Sequence, residues 1–209
     1  MDREEKIVKE FKECWFKDHV AELKDFGDIK VLDWRKPGTI NFYVRYVFDG
    51  CRMYVSGDLG SAVFVLTWKA DVHSFNDINI EYFVSKMEVG EKKEWSSCAA
   101  EDKLNEWKEE IIENYEFKTD EEKEEFEDLA KNLIDAASEC SSAEQWVWEC
   151  VDGEYNDEIS NFDVDYWEWM YEIGDVISRR AYAFLTGLKM ASEQLKNKGD
   201  SIWKNIFLI

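Results

Sequence analysis

The two histidines, His19 and His73, are the first residues to consider for catalytic chemistry. A nucleophilic triad needs a base, normally histidine, beside its nucleophile, yet neither histidine lies in a recognisable catalytic motif and no Gly-x-Ser-x-Gly sequence occurs. The glycine-rich run at residues 57–61 has no following lysine and does not open a helical pattern, unlike a phosphate-binding loop. We therefore predict a hairpin turn there and no catalytic residue.

Carboxylates supply the next candidate chemistry, a divalent metal site. The densest short cluster is Asp152, Glu154, Asp157 and Glu158, but its spacing is not that of an EF-hand loop. The five cysteines are scattered without a Cys-x-x-Cys pair, which argues against structural zinc and favours reduced thiols. The prediction is a protein that is not an enzyme and has no metal and no cofactor. A carboxylate-bound metal enzyme is the least favoured alternative.

The negative charge is confined to one segment of the chain. Residues 1–70 have a net charge of 0, residues 71–97 of −3, residues 98–175 of −22 and residues 176–209 of +4. With 45% apolar and 15% aromatic residues the chain has enough material for a core, so the charge does not indicate disorder. Such an asymmetry concerns solubility or binding partners rather than the fold.

The densest run of carboxylates falls between residues 120 and 139, where nine acidic side chains face two lysines. A helix of twenty residues is about 30 Å long, and one DNA strand carries about nine phosphates over that length. The run therefore approaches the linear charge of a nucleic-acid strand. We expect these carboxylates to contact a partner: Asp120, Glu121, Glu122, Glu124, Glu125, Glu127 and Asp128. An acidic helix face that serves solubility alone is the competing interpretation.

The acidic segment, residues 98–175, also contains several tryptophans. The runs Trp146-Val147-Trp148 and residues 166–169 place aromatic rings too close together for all of them to face one side of a helix. Some rings are therefore expected at an interface, where tryptophan supplies much of the binding free energy. We assign Trp146, Trp148 and Trp167 to partner binding.

Hydrophobic periodicity predicts an α+β fold. A helix is expected over residues 3–24, followed by a four-stranded antiparallel meander over residues 29–68 with a tight turn at Asp49-Gly50. About five acidic helices follow, the last one long or once broken over residues 163–197, with an apolar terminus at residues 202–209 that docks onto the body. The predicted division is residues 1–74 and residues 75–209, or one continuous domain.

Residues 41–66, and especially the run from Phe48 to Phe64, resemble small uncharacterised acidic proteins encoded by phages and prophages. The resemblance implies a mobile-element setting in which some acidic proteins inhibit host defence nucleases, anti-CRISPR proteins among them. It implies no particular site residues.

Two functional hypotheses follow from the residues and the resemblance. The first is a non-enzymatic inhibitor, acting in the host cytoplasm, whose acidic helical face mimics nucleic acid and binds a basic nucleic-acid-handling host protein, with a CRISPR effector nuclease favoured. The second is an adaptor that binds proteins through its sheet and exposed aromatics. Neither needs a membrane, and the acidic part is not expected to bind nucleic acid itself.

Overall fold

The computed structural model describes the backbone of residues 3–206 and the side chains of residues 3–197. This part of the chain is mixed α/β and divides into two compact units. The β unit comprises residues 1–92 and 177–209, and the acidic unit comprises residues 93–176. The division thus does not follow the predicted boundary after residue 74. The expected docking of residues 202–209 concerns side chains outside the described residues.

A six-stranded antiparallel sheet, with its strands in chain order, forms the β unit. The strands are β1 (Val20–Asp25), β2 (Ile29–Arg35), β3 (Val44–Asp49), β4 (Arg52–Gly57), β5 (Ala62–Val65) and β6 (Met87–Val89). The predicted meander corresponds to β2 through β5, so the prediction of four strands omits one strand at each edge. Gly50 adopts φ 56° in the tight turn between β3 and β4, as the Asp-Gly dipeptide predicts.

The predicted helix over residues 3–24 is wrong in its second half. Helix α1 (Arg3–Glu10) continues through a π-helical turn, Phe11–Trp15, and the chain then becomes strand β1. Strand β1 pairs along its whole length with β2, with Ala21 opposite Trp34. Ladder hydrogen bonds to β2 therefore override the helical spacing of the apolar residues.

One face of the sheet packs against helices. Alternating residues of β3, namely Val44, Tyr46 and Phe48, are buried, whereas Arg45 and Asp49 are exposed. Helices α1, α2 (Ile80–Ser85) and α7 (Arg179–Ile206) supply the other half of this core. The Tyr46 hydroxyl donates a hydrogen bond at 3.0 Å to the carbonyl of Phe184, which anchors α7 on the sheet.

The acidic unit is mainly helical. Its helices are α3 (Ser97–Asn114), α4 (Asp120–Glu139), α5 (Ala143–Trp146), continued by a π-helical segment, Val147–Glu154, and α6 (Asn156–Phe162). Two short strands, β7 (Lys93–Trp95) and β8 (Asp175–Ile177), pair with each other. A core of apolar side chains holds α3, α4 and α6 together, and includes Leu104, Trp107, Phe126, Leu133 and Ile159.

The helical stretch predicted over residues 163–197 is not continuous. Two single 3-10 turns and β8 occupy its first part, and α7 begins only at Arg179. The backbone of Gly174 lies against the indole of Trp95, and a Cβ at this position would come within 2.4 Å of that ring. A glycine at this position thus permits the close packing of the indole against the backbone.

Candidate protein-binding surface

Helix α4 begins at a cap built from Thr119 and Glu122. The Thr119 hydroxyl accepts a hydrogen bond from the Glu122 amide at 3.1 Å. The Glu122 carboxylate in turn accepts one from the Lys118 amide at 2.5 Å and lies 3.4 Å from the Tyr115 hydroxyl. Such a reciprocal cap satisfies amides that the first turn leaves without partners. Glu122 is therefore half-buried and hydrogen-bonded within the fold, whereas the other six carboxylates predicted to bind a partner are exposed.

The opposite sides of α4 differ in character. One side is buried and carries Phe126, Leu129, Ala130, Leu133 and Ala137. At about 100° per residue, six exposed carboxylates fall within roughly one quarter of the helix circumference on the other side. These six residues, called the acidic stripe below, are Glu121, Glu124, Glu125, Asp128, Asp135 and Glu139.

No lysine of α4 projects within the acidic stripe. Lys131 lies beside it at the stripe's edge, and Lys123 lies further round the helix, where its Nζ is 3.8 Å from Glu127. Asp120 and Glu127 are exposed next to the stripe rather than in it. The stripe extends over about 27 Å, so its charge density is somewhat below that of one DNA strand, which carries a phosphate every 3.4 Å or so.

A groove runs along one border of the stripe. It has a volume of about 570 Å³ and lies between α4 and α6, with Tyr115 and Phe162 among its lining residues. Glu125 and Asp128 of the stripe line it from α4, and Glu158 lines it from α6. No sequence pattern indicates that Glu158 lies near Glu125 and Asp128, because its position depends on how α6 packs against α4.

The charge asymmetry coincides with the division into units. The acidic unit holds 28 acidic side chains against six lysines and no arginine, a net charge of −22. The β unit holds 19 acidic and 20 basic side chains, a net charge of +1. Ion pairs of the acidic unit include Lys93 with Glu172 at 2.7 Å and with Asp175 at 3.1 Å. Six lysines cannot neutralise 28 carboxylates, so the unit presents a strongly negative field.

The three tryptophans assigned to partner binding lie in different environments. Trp146 is 0% exposed, stacks on Trp95 with ring centroids 6.1 Å apart and donates its indole N–H to the Met170 carbonyl. It therefore belongs to the core, and its assignment to a binding surface is corrected. Trp148 is 79% exposed and Trp167 is 57% exposed, so both remain available to a partner.

Hydrogen bonds explain why only one ring of the run at residues 166–169 points outward. The indole N–H groups of Trp107 and Trp169 both donate to Asp163 Oδ2 at 3.1 Å. The Tyr166 hydroxyl accepts from the Asn156 side chain at 2.8 Å. These contacts hold the flanking rings against the unit and leave Trp167 on the surface. Asp163 has no sequence signature that distinguishes it from its acidic neighbours.

Arginines of the β unit are engaged with carboxylates. Arg45 makes a two-pronged pair with Asp33 at 2.7 and 3.2 Å. Arg179 pairs with Glu10, and Arg180 with Glu91 at 3.0 Å. These three arginines are therefore partly neutralised by carboxylates of the same unit.

The residues considered for catalysis are not brought together. His73 Nδ1 lies 2.8 Å from the Ser192 hydroxyl, but Ser192 is fully buried and has no access to a substrate. His19 is buried beside Trp34, with Nε2 3.1 Å from the Phe42 carbonyl. Among the described residues, no three His, Cys, Asp or Glu side chains are grouped so as to hold a metal ion.

Within the described part of the chain, no helix combines the length and apolar character that crossing a membrane requires. Comparison with protein-family models, curated proteins and solved structures returned no match to this chain.

Proposed function

We propose that the chain is a non-enzymatic inhibitor of mobile-element origin that binds a nucleic-acid-handling host protein in the place of nucleic acid. A CRISPR effector nuclease is the favoured target, and the host cytoplasm is the proposed site of action. The observation that carries the proposal is the acidic stripe of α4, six exposed carboxylates on one helix face with no lysine of α4 among them. A cleft lined by lysine and arginine attracts such a surface as it attracts DNA, and its side chains replace the cations that gather around the carboxylates.

The rigidity of α4 supports this proposal. Phe126, Leu129 and Leu133 anchor the buried side of the helix, and the Thr119 cap fixes its first turn. A fixed row of charges binds more favourably than a flexible acidic tail, because little conformational entropy is lost on association. The neighbouring groove adds Glu158 and the ring of Phe162 to the same surface.

The experiment uses purified RNA-guided effector complexes and measures their binding to fluorescent target DNA with and without the chain. The wild-type chain should displace DNA from its target effector. The variant Glu121→Lys/Glu124→Lys/Glu125→Lys/Asp128→Lys should fail to do so while retaining its circular dichroism spectrum.

A control variant keeps the total charge change equal. Lysine at four exposed positions of α3, Glu106, Glu109, Glu110 and Glu113, changes the net charge by the same amount away from the stripe. This variant should inhibit nearly as well as the wild type. The proposal is rejected if the folded stripe variant inhibits like the wild type, or if both variants lose inhibition equally.

The exposed aromatics favour a second candidate, an adaptor whose acidic surface only confers solubility. Besides Trp148 and Trp167, one sheet face carries a row of paired residues, Val47, Tyr54 and Val63, none of which is fully buried. Binding through these groups would be nearly independent of salt and insensitive to the stripe variant. Loss of binding in Trp148→Ala or Trp167→Ala at high salt would favour the adaptor.

A further inference from the structure

Trp148 is exposed although the fold buries a tryptophan two residues earlier. Its side chain is 79% exposed, whereas that of Trp146 is 0% exposed. Trp148 lies in the π-helical segment Val147–Glu154, and single π-helical turns often occur at functional sites. Tryptophan is among the least favourable residues to leave in water, so an indole held outward is a surface that a partner would bury.

The surroundings of Trp148 combine apolar and negative groups. The indole borders a shallow depression of about 320 Å³ that is also lined by Ala143, Val147, Glu144 and Asp152. The Asp152 carboxylate is held in place by a hydrogen bond from the Tyr171 hydroxyl. Glu144 and Asp152 are both exposed, so the apolar ring has carboxylates beside it.

The β unit shows which side chain can bind next to both an indole and a carboxylate, namely arginine. The guanidinium of Arg179 lies 5.8 Å from the centroid of the Trp15 ring and 5.6 Å from that of the Phe11 ring. Its Nη2 donates to both carboxylate oxygens of Glu10 at 2.8 Å. An indole and a carboxylate together thus bind an arginine side chain through a ring face and charge-assisted hydrogen bonds.

We propose that Trp148, with Glu144 and Asp152, binds an arginine side chain of a basic partner protein. This inference rests on the proposed function for the existence of that partner. The net charge of −22 on the acidic unit selects a cation. Arginine fits better than lysine because its planar guanidinium stacks on an indole while its edge donates to carboxylates, whereas the ammonium is compact and strongly hydrated.

The test compares two fluorescein-labelled peptides, nonaarginine and nonalysine, by fluorescence anisotropy at low salt with the full chain. Wild type should bind nonaarginine more tightly than nonalysine. Trp148→Ala should weaken nonaarginine binding about fivefold, as expected for loss of one cation–π contact, and leave nonalysine binding nearly unchanged. Trp148→Phe keeps a weaker ring face, so its affinity for nonaarginine should lie between those of the wild type and Trp148→Ala.

Val164→Ala is the matched control, because Val164 is an exposed apolar side chain of the same unit without a ring. It should not change the ratio of the two affinities. Equal binding of the two peptides by wild type, or equal losses for both in Trp148→Ala, would overturn the inference. The proposed function fails on a separate result, unchanged nuclease inhibition by the stripe variant, so the two failures are distinguishable.

Discussion

The indole N–H of Trp146 donates a hydrogen bond at 2.8 Å to the backbone carbonyl of Met170. This bond is completely buried and joins α5 to the 3-10 turn Met170–Glu172 across the core of the acidic unit. Trp148 follows two residues later on the outside of the same unit. Two tryptophans of one tripeptide therefore serve different purposes, Trp146 in stability and Trp148 in the proposed binding.

Replacement of Trp146 by alanine should destabilise the acidic unit severely. It removes the hydrogen bond to Met170 and the contact with Trp95, and such a loss of a core tryptophan costs about 3–5 kcal/mol. Urea unfolding followed by circular dichroism measures this change in the free energy of unfolding. Trp148→Ala is the matched control and should change that free energy by no more than about 0.5 kcal/mol. Equal destabilisation by both variants would contradict the assignment of Trp146 to the core.

Asp163 should be important for stability although it is one acidic residue among many. Its Oδ2 accepts hydrogen bonds from the indoles of Trp107 and Trp169. Asp163→Ala leaves two part-buried N–H donors without this partner, and each such loss costs about 1–3 kcal/mol. Chemical unfolding should therefore show a decrease of about 2–6 kcal/mol in the free energy of unfolding. The neighbouring exposed Asp165→Ala serves as the control, and a loss no greater than in that variant would refute the role of Asp163.

Sequence patterns predicted elements whose signals are local. Strands β2 through β5 have turn residues between them, and α4 has the Thr119 cap together with a regular apolar side. Strand β6 has only three residues and exists because Val89 and Met87 pair with Val63 and Phe64 of β5. That pairing depends on a partner more than twenty residues away, so no local periodicity could reveal it.

The candidate surface was predictable in its charge but only partly in its geometry. The acidic stripe follows from helical spacing once α4 is known. Glu122, however, is hydrogen-bonded within the helix cap, which removes one of the predicted contacts with a partner. The difference in exposure between Trp146 and Trp148 could not be predicted from the sequence. It depends on Trp95 and Met170, which reach Trp146 only through the tertiary fold.

The stability of the β unit should decrease as the pH falls through the range in which histidine titrates. Burial lowers the pKa of His19 below its ordinary value of 6.5, outweighing the hydrogen bond to the Phe42 carbonyl and the charge of Asp18, while Lys36 adds to the lowering. The unfolded chain then binds the proton more tightly than the folded chain. The contribution of neutral His19 to the free energy of unfolding is complete above about pH 6.5. It is lost as the pH falls towards the pKa of His19 in the folded state.

The measurement is the urea midpoint of the wild type and of His19→Phe at several values between about pH 7.5 and pH 5. Phenylalanine keeps the ring contacts with Phe16 and Trp34 but cannot take up a proton. The urea midpoint of His19→Phe should therefore decrease less than that of the wild type as the pH falls over this range. Parallel curves for the two proteins would show that His19 does not contribute.

Thiol labelling should divide the cysteines into two classes. Cys14, Cys51 and Cys98 are exposed, whereas Cys140 and Cys150 are buried. Burial, together with nearby negative charge and Cys140, raises the pKa of Cys150 to about 12, which suppresses the reactive thiolate. Ellman's reagent should react rapidly with three thiols in the native chain and with five in urea. Rapid reaction of all five in the native state would contradict the packing around α5.

The dependence of binding on salt tests the central claim most directly. The dissociation constant of the chain with the effector that it inhibits is measured between about 50 and 400 mM NaCl for the wild type, the four-residue stripe variant and the α3 control. The affinity of the wild type should decrease steeply as salt increases, and that of the α3 control should decrease similarly. The stripe variant should bind weakly, and its affinity should depend much less on salt. Wild-type affinity that hardly changes with salt, together with full binding by the stripe variant, would contradict the account.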